Sequence, residues 1–384
     1  MKQFLLTAIN QHIYRGRHLL GTMPRPNDLP DQFYRLLQTS QKELKEIITE
    51  LERLSKDVQS NSELDQQENL RRYRRAVALL NLLESTCVAA ISRHGKNDVF
   101  LCLLVETISK EINYPILSPI VSSLSQQYFH IYPFLNLLFV PLEEGAFFLH
   151  LPDLYHELGH PMLASTERHN PHVKPFRDAL NRTIIDVLDH LESERRSNSR
   201  SRGIKAKKLY IDLWEKSWVD WLVEFFCDLV AIYTLGPAFA WSHIYLCSKS
   251  NQSPYHVPTT SASSHPADHA RMQVMLYGLQ LIGYDSAASD IENRWKQLLN
   301  TSGAKITAEY TNCFPNTLLH TIASRAYEGV LESKLSIVSP DNTGMVANYL
   351  NEAWDIFWNQ PSLYPQWETQ TMKTIRNNIM SELN

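Results

Sequence analysis

The sequence has few cysteines, and their number and spacing do not fit a disulfide framework. Five occur in 384 residues, an odd number, and none forms a C-x-x-C motif. They are Cys87, Cys102, Cys227, Cys247 and Cys313. This pattern favours reduced thiols over a small secreted domain held by disulfides. A glycine-rich phosphate loop and an internal repeat are also lacking, so the sequence predicts neither a phosphate-cradling nucleotide site nor a repeat array.

The sequence also lacks a long apolar segment and an excess of charge of one sign. The N-terminal apolar run is too short for a signal peptide, and no stretch approaches the roughly 20 apolar residues that span a bilayer. The net charge of −4 gives no general attraction to nucleic acid or acidic membranes. A composition of 43% hydrophobic and 20% charged residues is typical of soluble globular proteins with one or two domains. We therefore expect a cytoplasmic protein without a membrane span.

The most informative stretch that is present is His156-Glu157-Leu158-Gly159-His160, an H-E-x-x-H motif. Residues four apart share one face of a helix, so both imidazoles can reach one cation, and the intervening carboxylate can take a proton from a metal-bound water. The alternative is a surface helix with solvated histidines. Apolar flanks argue against that alternative. Gly159 costs about 1 kcal/mol relative to alanine inside a helix, which predicts that another backbone or a substrate approaches closely.

A second group of polar residues lies in the apolar segment 218–233, which predicts a buried helix. Asp220, Glu224 and Asp228 recur there at every fourth position. Carboxylates on a buried helix are costly unless a metal or a donor compensates them. Because catalytic zinc takes three protein ligands and keeps one open position, we expect Glu224 to be the third ligand and Asp228 to hold a ligand histidine. The alternative is an acidic stripe that faces water.

The two motifs together resemble the gluzincin group of zinc metallopeptidases, over roughly residues 130–285. In that group two histidines and the later glutamate bind zinc, the first glutamate is the general base, and the aspartate orients a histidine. In the same order, the corresponding residues are His156, His160, Glu224, Glu157 and Asp228. The resemblance therefore implies Zn²⁺ as the cofactor.

A weaker element, Ser264-His265-Pro266 followed by Arg271, is similar to the S-H-P-x-x-x-x-R element of HtpX-like and CAAX-prenyl-protease-like peptidases. In those relatives, which are often membrane-embedded, the element lies beside the active site. The alternative is a helix N-terminus with Pro266 in its first turn. His265 is our first candidate for a donor to the transition-state oxyanion, and Arg271 and Tyr255 are further candidates.

The expected fold class is α+β, predominantly α, with a zincin-like catalytic core, a small β-sheet and helical extensions at both ends. We expect a helical N-terminal region over 1–115, the core over 116–285, and a helical C-terminal region over 286–384 packed on the core. Short apolar runs between 134 and 151 predict a β-hairpin leading into the H-E-x-x-H helix. The segment 250–264 is predicted to be a loop, and helix breaks are expected near 284, 301, 340 and 361.

The function predicted from these patterns is zinc-dependent hydrolysis of peptide bonds in a protein or peptide substrate. One alternative is a catalytically silent zinc protein that serves as a scaffold for partners. Another is a regulator that binds nucleic acid through residues 195–208, where seven of fourteen residues are basic. That segment lacks interleaved aromatic residues, so we expect a solvated loop there instead of a nucleic-acid site. The substrate and the oligomeric state are left open by the sequence.

Overall fold

The computed structural model describes residues 2–60, 66–125, 128–142, 147–167, 169–199 and 204–381. These residues are mostly helical, with three short strands. The predicted class, α+β and predominantly α, is therefore confirmed. The chain divides into two compact units, which are interleaved along the sequence.

The first unit contains the described residues of Met1–Leu103, Pro119–Tyr128 and Leu135–Leu142. Its helices are α1 (Lys2–Thr22), α2 (Asp31–Ser60), α3 (Gln66–Leu83), α4 (Ala89–Arg93) and the first half of α5 (Lys96–Glu111). One face of α2 is buried over its whole length, as the helical spacing of its apolar residues predicts. A short π-helical turn joins α3 to α4.

The strands are β1 (Ile120–Ser125), β2 (His130–Tyr132) and β3 (Leu137–Pro141). In the first unit, β1 and β3 pair in parallel, with Ile120 opposite Leu137 and Val121 opposite Leu138. The predicted hairpin is wrong in its second half. Residues 148–150 form a 3-10 turn whose backbone bonds are local, for example from Leu151 N–H to the Phe148 carbonyl. Residues 143–146 of the predicted hairpin lie outside the described residues.

The second unit contains the described residues of Leu104–Ser118, Phe129–Phe134 and Glu143–Asn384. Its helices after α5 are α6 (Asp153–Glu157), α7 (Gly159–Leu163), α8 (Lys174–Ser199), α9 (Ile204–Leu235), α10 (Pro237–Ser248), α11 (Asp268–Leu281), α12 (Asp285–Ser302), α13 (Ala308–Cys313), α14 (Asn316–Glu332), α15 (Met345–Asn359) and α16 (Tyr364–Ser381). The helix α9 packs against α6, α7, α8, α11 and α14, which makes it the centre of this unit. The breaks predicted near 284, 301, 340 and 361 and the loop at 250–264 are confirmed.

The loop predicted over 195–208 is wrong for most of its length. The helix α8 continues to Ser199 and α9 begins at Ile204, while residues 200–203 lie outside the described residues. Arg195 pairs with Asp212 and Glu215, and Arg196 pairs with Glu192 four residues earlier on the same helix. Ion pairs at this spacing stabilise a helix, so a dense run of basic residues does not by itself indicate a loop.

The two units do not follow the boundaries expected at residues 115 and 285. The C-terminal helices α12 to α16 belong to the same unit as the helices that carry the motifs. Among the described residues, one helix, Gln66–Arg93, is long and apolar enough to cross a membrane by length and composition. Core helices of soluble proteins pass the same test, so the cytoplasmic location stays a prediction.

Candidate metal centre

The H-E-x-x-H motif lies across a break between α6 and α7 at Leu158. Pro161 has no N–H to donate to the carbonyl of Glu157, so the regular helical hydrogen-bond ladder is interrupted there. The Tyr114 hydroxyl donates to the Leu158 carbonyl at 2.8 Å, which gives the backbone at this break a half-buried partner. The break does not separate the two histidines, whose Nε2 atoms lie 3.3 Å apart.

Glu224 on α9 completes a group of three side chains, two imidazoles and one carboxylate, whose ligand atoms face one point. Its carboxylate oxygens lie 3.5 Å from His156 Nε2 and 3.8 Å from His160 Nε2. Zinc bound tetrahedrally by two imidazole nitrogens would hold those nitrogens about 3.3–3.4 Å apart, given Zn–N bonds of about 2.0–2.1 Å. The 3.3 Å between the two histidines matches that spacing. The residues present therefore fit a tetrahedral zinc ion with one position left for another ligand.

Asp228 fixes the orientation of His156. The His156 Nδ1–H donates to the fully buried Asp228 carboxylate at 2.8 Å, which leaves the Nε2 lone pair directed at the point shared with His160. A carboxylate behind a ligand imidazole sets its tautomer and raises its basicity. Asp220, the first acidic residue of the stripe on α9, is exposed. The stripe is therefore buried only where it meets the two histidines.

Arg271 on α11 is the second partner of Asp228. Its Nε donates to Oδ2 at 2.8 Å and its Nη2 donates to Oδ1 at 2.6 Å, a bidentate pair. Burial would raise the pKa of Asp228, but Arg271 and then His156 hold it well below its usual range. The structure thus places Arg271 behind the histidine as a positioning residue, a different role from the oxyanion donor expected from the sequence.

The charges in this group are strongly coupled. Burial would lower the pKa of His156, but the Asp228 and Glu224 carboxylates outweigh it and raise that pKa to about 10. Burial, followed by the charge of His156, lowers the pKa of His160 to about 4. Burial would raise the pKa of Glu224, yet His156 and Arg271 lower it to about 2. In the metal-free protein His156 is therefore protonated at neutral pH, and a metal ion that binds at its Nε2 replaces that proton.

Glu157 is buried beside these residues, and its environment differs from that of Glu224. Burial raises the pKa of Glu157 to about 7, with His156 opposing the shift and Glu224 adding to it. One of its carboxylate oxygens lies within 4.8 Å of a ring nitrogen of His156 and of a ring nitrogen of His160. A carboxylate with a pKa near 7 is suited to accept and return a proton at neutral pH.

His265 lies on the same side of the unit as the candidate ligands. Its Nε2 is 3.8 Å from Glu224 Oε2, and its side chain is 65% exposed. The Ser264 hydroxyl lies 2.9 Å from His265 Nδ1, and the Ser263 N–H donates to the Ser217 hydroxyl on α9. These contacts tie the S-H-P segment to α9 next to Glu224, although the ring itself stays open to solvent.

Tyr255, the third candidate oxyanion donor, lies in a different cluster. Its ring packs edge-on against the rings of His269 and Tyr310, with ring centroids 4.7 Å and 5.0 Å apart, and the Tyr255 side chain is buried. These contacts line a separate pocket together with Trp295. The structure therefore does not bring Tyr255 to the histidines of the candidate centre.

Gly159 is required where α7 crosses α9. A Cβ built on it would lie 2.9 Å from the Cα and Sγ of Cys227, which is closer than real Cβ atoms approach other atoms. The close approach expected from the sequence is thus made by the α9 backbone. Cys227 is fully buried and packs directly against Gly159.

Gly159→Ala is expected to destabilise the protein and to weaken zinc binding. The added methyl group would push α7 away from α9, and this would move His160 away from Glu224. Overpacking costs about 1–3 kcal/mol, which exceeds the roughly 1 kcal/mol that alanine gains in helix propensity. Gly21→Ala is the matched control, since a Cβ there meets nothing within 4 Å. Urea unfolding and zinc competition with a chelator measure both effects. A Gly159→Ala protein with wild-type stability and zinc affinity would contradict this packing.

Asp228→Asn is expected to weaken zinc affinity by about 10–100-fold, the usual effect of losing the partner of a ligand histidine. It should also lower the free energy of unfolding by about 3–5 kcal/mol, because Arg271 is left in a buried site without a counter-charge. The double variant Asp228→Asn/Arg271→Leu separates the two effects. It should recover stability without recovering zinc affinity. Recovery of both would show that Asp228 acts on the fold alone.

Comparison with protein-family models, with curated proteins and with solved structures finds no match to this chain. Function is therefore inferred from the geometry of the centre and from the motif resemblance.

The sequence analysis missed one residue of this centre, Tyr114, and the contact that Arg271 makes. The pairing of Arg271 with Asp228 joins residues 43 positions apart. The Tyr114 bond to Leu158 joins residues 44 positions apart. The S-H-P-x-x-x-x-R element did single out Arg271, but no sequence signal identifies Tyr114.

Proposed function

We propose that this chain is a zinc-dependent metallopeptidase of the gluzincin type, which hydrolyses peptide bonds in a protein or peptide substrate. The observation that carries the proposal is the convergence of His156, His160 and Glu224 at distances that suit one tetrahedral zinc ion. A purely structural zinc site has no use for a buried acid such as Glu157 beside its ligands. The three-ligand set also leaves a position for water, as catalytic zinc requires.

In this proposal, His156, His160 and Glu224 hold the zinc ion. When bound, zinc supplies Lewis acidity that makes a water molecule a nucleophile near neutral pH. Glu157 accepts a proton from the attacking water and returns it to the leaving amine. Asp228 keeps His156 in the binding tautomer, and Arg271 keeps Asp228 ionised. All of these residues lie on the helices α6, α7, α9 and α11.

His265 is proposed to donate a hydrogen bond to the oxyanion that forms on the substrate carbonyl. Its Nε2 lies near Glu224 while its ring is solvent-exposed, so a substrate can reach it. His265→Ala is therefore expected to lower kcat by about 10²–10³, the effect of losing one oxyanion donor. Zinc content and stability should stay unchanged, because the ring buries little surface. Unchanged kcat would remove His265 from the mechanism, and lost zinc would make it a ligand instead.

The experiment that tests the proposed function is an unbiased search for new protein N-termini. Wild-type protein and Glu157→Gln are each incubated with a cell extract, with and without a zinc chelator. New N-termini are expected only with wild-type protein and only without the chelator. The residues flanking the cleavage sites would then identify the substrate preference. Identical N-termini in all samples would contradict peptidase activity.

A further inference from the structure

A second group of metal-ligating side chains lies where α10 and α11 meet. His243 and Cys247 are four residues apart on α10, and Asp268 is the first residue of α11. One donor atom from each of the three side chains lies within 4.8 Å of the other two. His243 is buried, and Cys247 is partly buried. None of these residues has a role in the proposed peptidase mechanism.

The spacing of the sulfur and nitrogen atoms suits a shared metal ion. Cys247 Sγ lies 3.5 Å from His243 Nε2. A tetrahedral zinc ion with a Zn–S bond of about 2.3 Å and a Zn–N bond of about 2.0–2.1 Å holds these two atoms about 3.5–3.6 Å apart. His243 Nε2 also lies 3.1 Å from the main-chain carbonyl of Asp268, to which its N–H donates. Binding a metal at Nε2 would replace that proton.

The chemical types of the three ligands limit which metal ions this group can bind. Thiolate and imidazole together select zinc and similar transition metals, whereas Mg²⁺ and Ca²⁺ take oxygen ligands. A single carboxylate with one imidazole and one thiolate is a three-ligand set, which leaves one position for water or another donor. The group borders a pocket of about 350 Å³ whose lining also includes His256 and His265. The remaining position can therefore be reached from solvent.

The position in the chain gives such a metal a structural effect. Cys247 is one residue before the end of α10, and Asp268 begins α11, so the two lie at either end of the loop 249–267. That loop carries the S-H-P segment and His265. A metal bound by both ends would shorten the free length of the loop and restrict its conformations. It would thus hold His265 beside Glu224.

We propose that His243, Cys247 and Asp268 bind a second divalent transition-metal ion, of the zinc class, which clamps α10 to α11. The site is separate from the one formed by His156, His160 and Glu224 because the two sets share no ligand. It does not depend on peptidase activity. When both sites are filled, the chain holds two metal ions, and only the ion bound by Cys247 has a sulfur ligand.

The test is a titration of the metal-free, full-length protein with Co²⁺, followed by absorption spectroscopy. A thiolate bound to Co²⁺ gives a charge-transfer band, and the His156 site has no thiolate ligand to produce one. We expect the band to saturate by two Co²⁺ per chain in wild type and at one per chain in His156→Ala, and to be displaced by Zn²⁺. It should persist in His156→Ala and in Cys313→Ser, which replaces a buried cysteine elsewhere in the unit. It should be lost in Cys247→Ser.

Zinc content by elemental analysis completes the test. Wild type should hold two zinc ions per chain, Cys247→Ser one, and His156→Ala one. Circular dichroism checks that each variant is folded, and Asp268→Asn, which keeps the thiol, should show the same band with weaker Co²⁺ affinity. A wild-type protein without the thiolate band, or a band that survives in Cys247→Ser, would overturn the second site. Loss of one zinc in His156→Ala alone would bear only on the first site.

Discussion

Glu157→Gln should retain zinc and lose peptide-bond hydrolysis by about 10²–10⁴-fold, the usual contribution of a positioned general base. Glutamine has nearly the same size as glutamate but cannot accept and return a proton. Glu157 lies beside the ligands in a buried position, and burial raises its pKa to about 7. A neutral glutamine avoids the cost of burying a charge, so the variant should be at least as stable as wild type.

The measurement compares cleavage and zinc content on the same preparations. Elemental analysis should find equal zinc in Glu157→Gln and wild type, and the search for new N-termini should find cleavage only with wild type. Asp220→Asn is a suitable control, because it neutralises an exposed carboxylate on α9. Equal cleavage by Glu157→Gln and wild type would show that Glu157 is not the base. A zinc-loaded wild type that cleaves nothing would instead support the scaffold alternative.

The parts of the centre that the sequence predicted are those set by local geometry. A spacing of four residues on a helix brings side chains to one face, and this holds for His156 and His160 even across the break at Leu158. The same rule predicted Glu224 and Asp228 together on α9. Each motif therefore specified half of the centre. The resemblance to a known motif order was needed to place the halves side by side.

The parts that the sequence did not predict depend on contacts between distant segments. Arg271 was expected to face the substrate, but the Asp228 carboxylate offers it two buried acceptors, and a bidentate pair with a carboxylate is a strong, specific contact. Tyr114 has no motif at all. The basic segment 195–208 was expected to be a loop because it is rich in serine and lacks apolar periodicity. Its described residues are helical, since α8 continues to Ser199 and α9 begins at Ile204, and the Arg195–Glu215 ion pair joins the two helices.

The break at Leu158 was, by contrast, available from the sequence. Pro161 follows the motif directly, and a proline removes the hydrogen bond to the residue four positions earlier. The residue at that position is Glu157, whose carbonyl is therefore released from the helix ladder. Leu158 itself keeps right-handed helical backbone angles, so the two histidines stay close across the break. Their Nε2 atoms remain 3.3 Å apart.

His156→Ala and His160→Ala should each lose zinc from the first centre and, with it, all hydrolysis. Each removes one of the three proposed ligands, so the loss of affinity should exceed the roughly 10–100-fold that follows from removing a partner behind a ligand. The fold should survive in His156→Ala, because Asp228 keeps its bidentate contact with Arg271 and is not left as an unpaired buried charge. Loss of zinc is then a direct effect of the missing ligand.

Thermal unfolding with and without a chelator measures this loss independently of any substrate. A ligand that binds only the folded state at 1,000 times its Kd stabilises it by about 4 kcal/mol. Wild type should therefore unfold at a lower temperature once chelator is added. The control variant His172→Ala, which replaces an exposed histidine, should also unfold at a lower temperature when chelator is added. In His156→Ala, chelator should lower the unfolding temperature by less than in wild type, because the first centre no longer holds zinc. A chelator-induced shift equal to that of wild type in both histidine variants would mean that zinc is held elsewhere, and the first centre would not be a metal site.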